Sequence, residues 1–229
     1  MNRVKPSRIV DLSKEIAYNR NDPFFMRVKI RHHRHWKARW LVRALGLPFR
    51  LFPKDFAGWA DDTITHMGVH STTHIDAPWH YGPAQSQDDP RPATIDEMPL
   101  DLCFGPGVVF DMRDKADGVE ITVADMEESL KASGAKLEPG VIALIQTGRD
   151  RYQGQRDYWK RGVGMGAAAT EWLIDRGVVV MGVDQWGWDA PFHHQIKKAK
   201  VSIPDLIIDD NVLDVSGEAQ GPVPETIKY

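Results

Sequence analysis

Three short apolar runs dominate the second half of the chain: Gly107–Met112, Val141–Ile145 and Val178–Val183. Each is five or six residues long and is bounded by turn-forming residues, the pattern of a strand with little solvent contact. The second ends at Gln146-Thr147-Gly148 and the third at Asp184. Between them lie two helical stretches. Thr122 caps the first, which runs to about Leu137, and Asp125 three residues on completes a capping box. The second spans Ala167–Arg176 and is closed by Gly177. Strands that alternate with helices imply a sheet under helices, so the fold class is α/β.

The first half is less regular. Arg8-Ile9-Val10-Asp11-Leu12 reads as a short strand. Trp36, Trp40, Leu41, Ala44 and Leu45 recur at helical spacing, and Gly46 and Pro48 supply the stop, so residues 27–46 hold an amphipathic helix. Pro78, Pro83, Pro90, Pro92 and Pro99 predict a loop without regular structure. There is no internal repeat and no low-complexity segment.

Composition narrows the class. The chain has 229 residues, 42% hydrophobic and 27% charged, which supports one large packed domain and excludes wholesale disorder. Its formal net charge is −3, too near neutral for the whole surface to bind a polyanion. A single cysteine, Cys103, in apolar company between Leu102 and Phe104, excludes an intramolecular disulfide and points to a reducing compartment. The first ten residues lack the apolar run of a signal peptide, and no stretch approaches the ~20 apolar residues of a membrane span. A cytoplasmic protein without membrane or nucleic-acid partners is expected.

Residues 23–54 qualify that picture, because they carry nine Lys or Arg and no acidic residue. The basic helix there suits a contact with nucleic acid, a membrane surface or an anionic substrate, but one basic helix on a net acidic chain is a weak signal. Packing on the domain or on a second subunit is the favoured reading.

Candidate chemistry comes from histidine. Four of the nine histidines, His66, His70, His74 and His80, fall in fifteen residues, where uniform scatter gives about 0.6. Residues 68–82 contain β-branched Thr72, Thr73 and Ile75, so an extended chain is predicted, with His70, Thr72, His74 and Asp76 on one face. His74 and Asp76 are then ~6.6 Å apart, a comfortable span for one ion. His70 is ~13 Å from His74 in a straight strand, so the chain must bend between them if both bind. Two imidazoles and a carboxylate form a three-ligand set for catalytic zinc or manganese. His80 follows the turn at Pro78 and is placed beside such an ion, where a general acid/base is wanted.

The pattern His70-x-x-Thr73-His74-x-Asp76-x-Pro78-x-His80 resembles the signature of the metal-dependent cyclase-like hydrolase family, which includes bacterial kynurenine formamidases and isatin hydrolases. The similarity extends to Asp11-Leu12-Ser13, Ile95–Pro99, Leu144–Gly148 and Gly182–Asp189. It implies a single α/β domain over residues 1–192 with a curved central mixed β-sheet of the swivelling β/β/α type, assembled as dimers or tetramers. It also implies that His70, His74 and Asp76 hold the metal and that His80 is catalytic. With such an ion bound, a coordinated water would be made nucleophilic at neutral pH for attack on an amide or lactone carbonyl, and His80 would protonate the leaving group.

Two positions depart from the pattern. Thr72 replaces the signature glycine, and residues 193–229 do not resemble the family's closing region, where a histidine and a glutamate complete a second metal site in dinuclear members. His193 and Asp205 share that twelve-residue spacing without being its equivalents. One ion per chain is therefore expected. A family remnant that binds without turnover is the alternative, and an interaction module built on the basic helix is a third reading. No Gly-x-Ser-x-Gly elbow is present, and Gly162-Val-Gly-Met-Gly166 lacks the preceding strand of a dinucleotide site.

Overall fold

The computed structural model describes residues 9–82 and 91–198. Two compact units divide the chain, Met1–Ile75 and Asp76–Tyr229.

In the first unit, strand β1 (Lys29–His33) pairs antiparallel with β2 (Asp61–His66), with Ile30 opposite Ile64 and His33 opposite Asp61. Helix α1 (His35–Ala44) lies in the connection between them, ending near Gly46 at φ +106° as the glycine and proline signals predict. Gly58 is required to be glycine: its φ is +98°, and a Cβ there would stand 2.1 Å from the His35 carbonyl oxygen. After it the chain enters β2.

Two expectations for this unit are corrected. Residues 9–12 form no strand. The Asp11 carboxylate takes the Ser13 N–H at 2.9 Å, a local turn bond, and Ile9 and Leu12 stay largely exposed. The helix of residues 27–46 is shorter than predicted, because Lys29–His33 is strand. Only Ala38 of α1 is buried, while Trp36, Trp40 and Leu41 are more than half exposed. The segment's aromatic residues associate with one another instead. Trp40, Phe49, Phe52 and Phe56 form an edge-to-face chain at centroid separations of 5.1–5.5 Å, and the Arg39 guanidinium lies over Phe49 and Phe52.

The second unit realises the α/β pattern. Strands β3 (Gly107–Asp111), β5 (Ile142–Gln146) and β7 (Val180–Val183) form a parallel sheet in the order β3-β5-β7. A second, two-stranded parallel sheet joins β4 (Glu120–Ile121) to β6 (Gly164–Met165). Parallel neighbours need long crossovers, and helices α2 (Val123–Ser133) and α3 (Ala167–Ile174) supply them. A last helix, α4 (Phe192–Lys198), ends the described chain.

The three predicted strands and the Thr122–Asp125 capping box are found, while α3 ends at Ile174 with Asp175 as its C-cap, two residues before the predicted Gly177. The Thr122 hydroxyl accepts the Asp125 N–H, and the Asp125 carboxylate accepts the Thr122 N–H at 2.8 Å. Helix α2 stops at Ser133, short of Leu137, because Gly134 turns left-handed at φ +65°. Phe110, Met126, Ala143, Ile145 and Leu173 are at most 2% exposed and form the centre of the core. Burial alternates along β3, so the helices cover one face of the sheet, while Val109 on the other is 48% exposed.

Parallel and antiparallel pairing are thus both present, in separate sheets. The proline-rich loop is not wholly irregular: Pro78–Tyr81 and Ile95–Glu97 are 3₁₀ turns, with Pro78 at the first turn of one, where its missing N–H is harmless. Residues 83–90 of that loop, and the tail from 199 that contains Asp205, lie outside the described residues. No helix among the described residues is long and apolar enough to cross a membrane.

Candidate metal centre

Beyond β2 the chain turns sharply. Val69–Ser71 is a 3₁₀ turn, closed by the Ser71 N–H donating to the Gly68 carbonyl at 3.0 Å, and Thr72 then resumes an extended path. The straight strand predicted for this segment is corrected by that turn. Ser71 is only 2% exposed, so burying it draws the backbone inward where an extended run would have carried it past. The bend that a shared ion demands is therefore present. His70 Nδ1 lies 2.7 Å from His74 Nε2, with ring centroids 4.7 Å apart.

His70, His74 and Asp76 offer ligand atoms that all lie within 4.8 Å of one another. Ligands on one tetrahedral ion with bonds of about 2.1 Å stand roughly 3.4 Å apart, so small side-chain adjustments bring the three donors to a divalent ion. All three lie within seven consecutive residues.

The protonation pattern also suits a ligand set. His74 Nδ1 is 2.6 Å from the Thr72 carbonyl oxygen. A carbonyl only accepts, so Nδ1 carries the proton and Nε2 presents its lone pair towards His70. Metal-binding histidines are commonly held in this way, by a carbonyl that fixes tautomer and ring orientation together. The residues present fit a divalent ion.

His80 is outside this three-residue group. It lies on the exposed Pro78–Tyr81 turn, its ring edge-on to Tyr81 at 5.3 Å. His66 ends β2, exposed, 3.4 Å from the Phe25 carbonyl, and is not in the group either. Tyr81 was not singled out by the sequence. Burial first, and then the negative charges of Asp76 and Asp189, push its phenol above the ordinary value, so it stays protonated and able to donate at neutral pH. The only sequence signal for it is an aromatic residue directly after His80.

Other candidates take structural roles. The Asp184 carboxylate accepts the Thr147 N–H and the Gly148 N–H at 2.7 Å and the Thr147 hydroxyl at 2.6 Å, tying the ends of β5 and β7 together. Gln185 is buried and bridges both polar groups of Val163. Trp188 packs on the core and donates to Thr170 at 3.0 Å; Trp186 meets Trp159 edge-to-face, with ring centroids 5.1 Å apart. Asp189 borders a cavity of about 290 Å³ with Glu120, Met165, His194 and Lys198, none of them in the histidine cluster. Cys103, expected in apolar company, is exposed, and Phe104 beside it is 92% exposed.

The Cyclase family model, described as Putative cyclase, matches residues 10–190. Isatin hydrolase A from Ralstonia solanacearum superposes with a TM-score of 0.54 at 22% identity, over 82% of this chain and 74% of that one. A novel cyclase gives 0.55 at 21% identity, over 78% of this chain and 66% of that one. An isatin hydrolase bound to the product analogue thioisatinate gives 0.49 at 22% identity, over 71% of this chain, which spans 59% of the hydrolase's length. At 21% and 22% identity, the likeness to the first two is one of fold. No match is found among curated protein sequences. With its histidine–aspartate cluster inside the matched region, the chain belongs to the cyclase family.

Proposed function

We propose that this chain is a metal-dependent hydrolase of an amide or lactone, of the aryl formamide or cyclic amide kind. His70, His74 and Asp76 hold one zinc or manganese ion, and His80 is the general acid/base. The observation that supports the reading is the convergence of two imidazoles and a carboxylate, one imidazole already oriented by the Thr72 carbonyl, in a chain of this family. When bound, the ion supplies a Lewis acid for the carbonyl oxygen and lowers the pKa of a coordinated water.

The chain's own residues supply the rest. The Thr72 carbonyl keeps His74 Nε2 free of a proton. Asp76 contributes negative charge that offsets part of the cation's. His80, exposed on its turn, delivers a proton to the departing amine or alkoxide. Trp79 and Tyr81 flank His80 in the chain, both about half exposed, and offer apolar surface to a flat ring. Assembly into a homodimer or tetramer is part of the same reading.

The test is metal content per chain by mass spectrometry, with turnover of N-formylkynurenine, isatin and a simple aliphatic lactone. One ion per chain with hydrolysis of an aryl or cyclic amide is expected. Full reconstitution with zinc and manganese that yields no hydrolysis of any of the three would leave a binding protein in place of an enzyme.

A further inference from the structure

The three residues that separate His70 from His74 are tied at both ends by a residue nearly sixty positions earlier in the chain. The Lys14 backbone N–H donates to Thr73 Oγ1 at 2.7 Å, and its Nζ donates to the Ser71 carbonyl oxygen at 3.3 Å. The ammonium is anchored in turn, 3.8 Å from Oδ2 of Asp22, which is 3% exposed. Asp22 is itself fixed: its Oδ1 accepts from Asn19 Nδ2 and its carbonyl from Arg27 Nε, both at 2.8 Å. Between the two tied residues lies Thr72, whose carbonyl takes the His74 Nδ1 proton.

We infer that Lys14 is a positioning residue for the histidine pair, acting through the backbone of residues 71–73. The chain of cause is short. Lys14 fixes Ser71 and Thr73, they fix the Thr72 carbonyl, and that carbonyl sets the tautomer and ring angle of His74. An anchored ammonium suits this task because it hydrogen-bonds a carbonyl while it pairs ionically with a carboxylate, so the 71–73 backbone is referenced to a buried group and not to solvent. Nothing in the motif around His70 signals this tie.

The inference rests on the metal-centre reading above, and the experiment separates the two. Co²⁺ alone is the probe, titrated into the intact metal-free chain and followed by its visible absorption, which reports ligand geometry whether or not the chain is catalytic. Lys14→Met should weaken Co²⁺ binding on the order of 10- to 100-fold, the usual cost of losing a group that orients a ligand, and alter the absorption band. Lys14→Arg, which keeps a cation and donors, should recover part of the affinity.

If the unsubstituted chain binds no Co²⁺, the metal centre itself is refuted. If it binds and Lys14→Met binds equally well with the same band, the metal centre stands and the role of Lys14 is overturned. Should Lys14→Met fail to fold by circular dichroism, Thr73→Val decides. It removes one tie and leaves the Lys14–Asp22 pair intact, and an unchanged affinity and band in that variant would equally overturn the role.

Discussion

At the scale of single residues, the site depends on which atom of each side chain faces the cluster. His74 presents Nε2 because Nδ1 is engaged with the Thr72 carbonyl, and Asp76 lies two residues along the same local path. His74→Ala and Asp76→Ala should each abolish tight binding of a divalent ion while leaving the far-ultraviolet circular dichroism unchanged, since neither side chain belongs to the buried core. Full metal occupancy in either variant would remove that residue from the ligand set. His80 behaves differently, because it is outside the three-residue group. His80→Ala should keep its metal and lose activity by roughly 10²- to 10⁴-fold, the range for a general acid/base. Loss of the ion together with activity would make His80 a ligand.

At the scale of elements, short turns hold the loop that follows the cluster. The Ile95–Glu97 turn begins with a capping box, in which the Glu97 carboxylate accepts the Thr94 N–H at 2.9 Å while Arg91 pairs with its other oxygen. The Thr94 backbone bond first, then the Arg91 and Thr94 side-chain bonds, lower the Glu97 pKa to about 2. A carboxyl depressed in the folded chain stabilises it above the unfolded value of about 4.3, and that contribution is lost as pH falls towards 2. Carboxyl-carbon titration by nuclear magnetic resonance should therefore give Glu97 a midpoint near 2, and Arg91→Ala should raise it. An ordinary midpoint in the unsubstituted chain would mean that the turn is not capped in solution.

At the scale of the whole molecule, the proposed ion would be a ligand of the folded state alone, because the cluster depends on a bend that the unfolded chain does not hold. Linkage then requires stabilisation that grows with free metal, about 2.7 kcal/mol at a hundred times the dissociation constant. The thermal midpoint should rise with added zinc or manganese, return on chelation, and show no such rise in Asp76→Ala. A midpoint indifferent to metal would argue against a preformed site.

The sequence alone was enough to single out the candidate cluster and the central α/β elements of this protein. The cluster of His70, His74 and Asp76 was legible because a candidate ligand set is a matter of residue type and short spacing. The strands at 107, 142 and 180 and the Thr122–Asp125 cap were legible because they rest on local propensity and hydrogen bonds within a few residues. The sequence also required a bend between His70 and His74 but did not locate it. Only tertiary structure placed it at Val69–Ser71, where Ser71 is buried and Lys14 reaches in from nearly sixty residues away. The same holds for residues 9–12, apolar enough to read as a strand but without a neighbouring strand to pair, and for the aromatic residues of 36–56, whose periodicity specified a helix but not what its apolar side would meet. For the bend, the deciding interaction joins residues far apart in sequence, and periodicity and spacing hold no record of it.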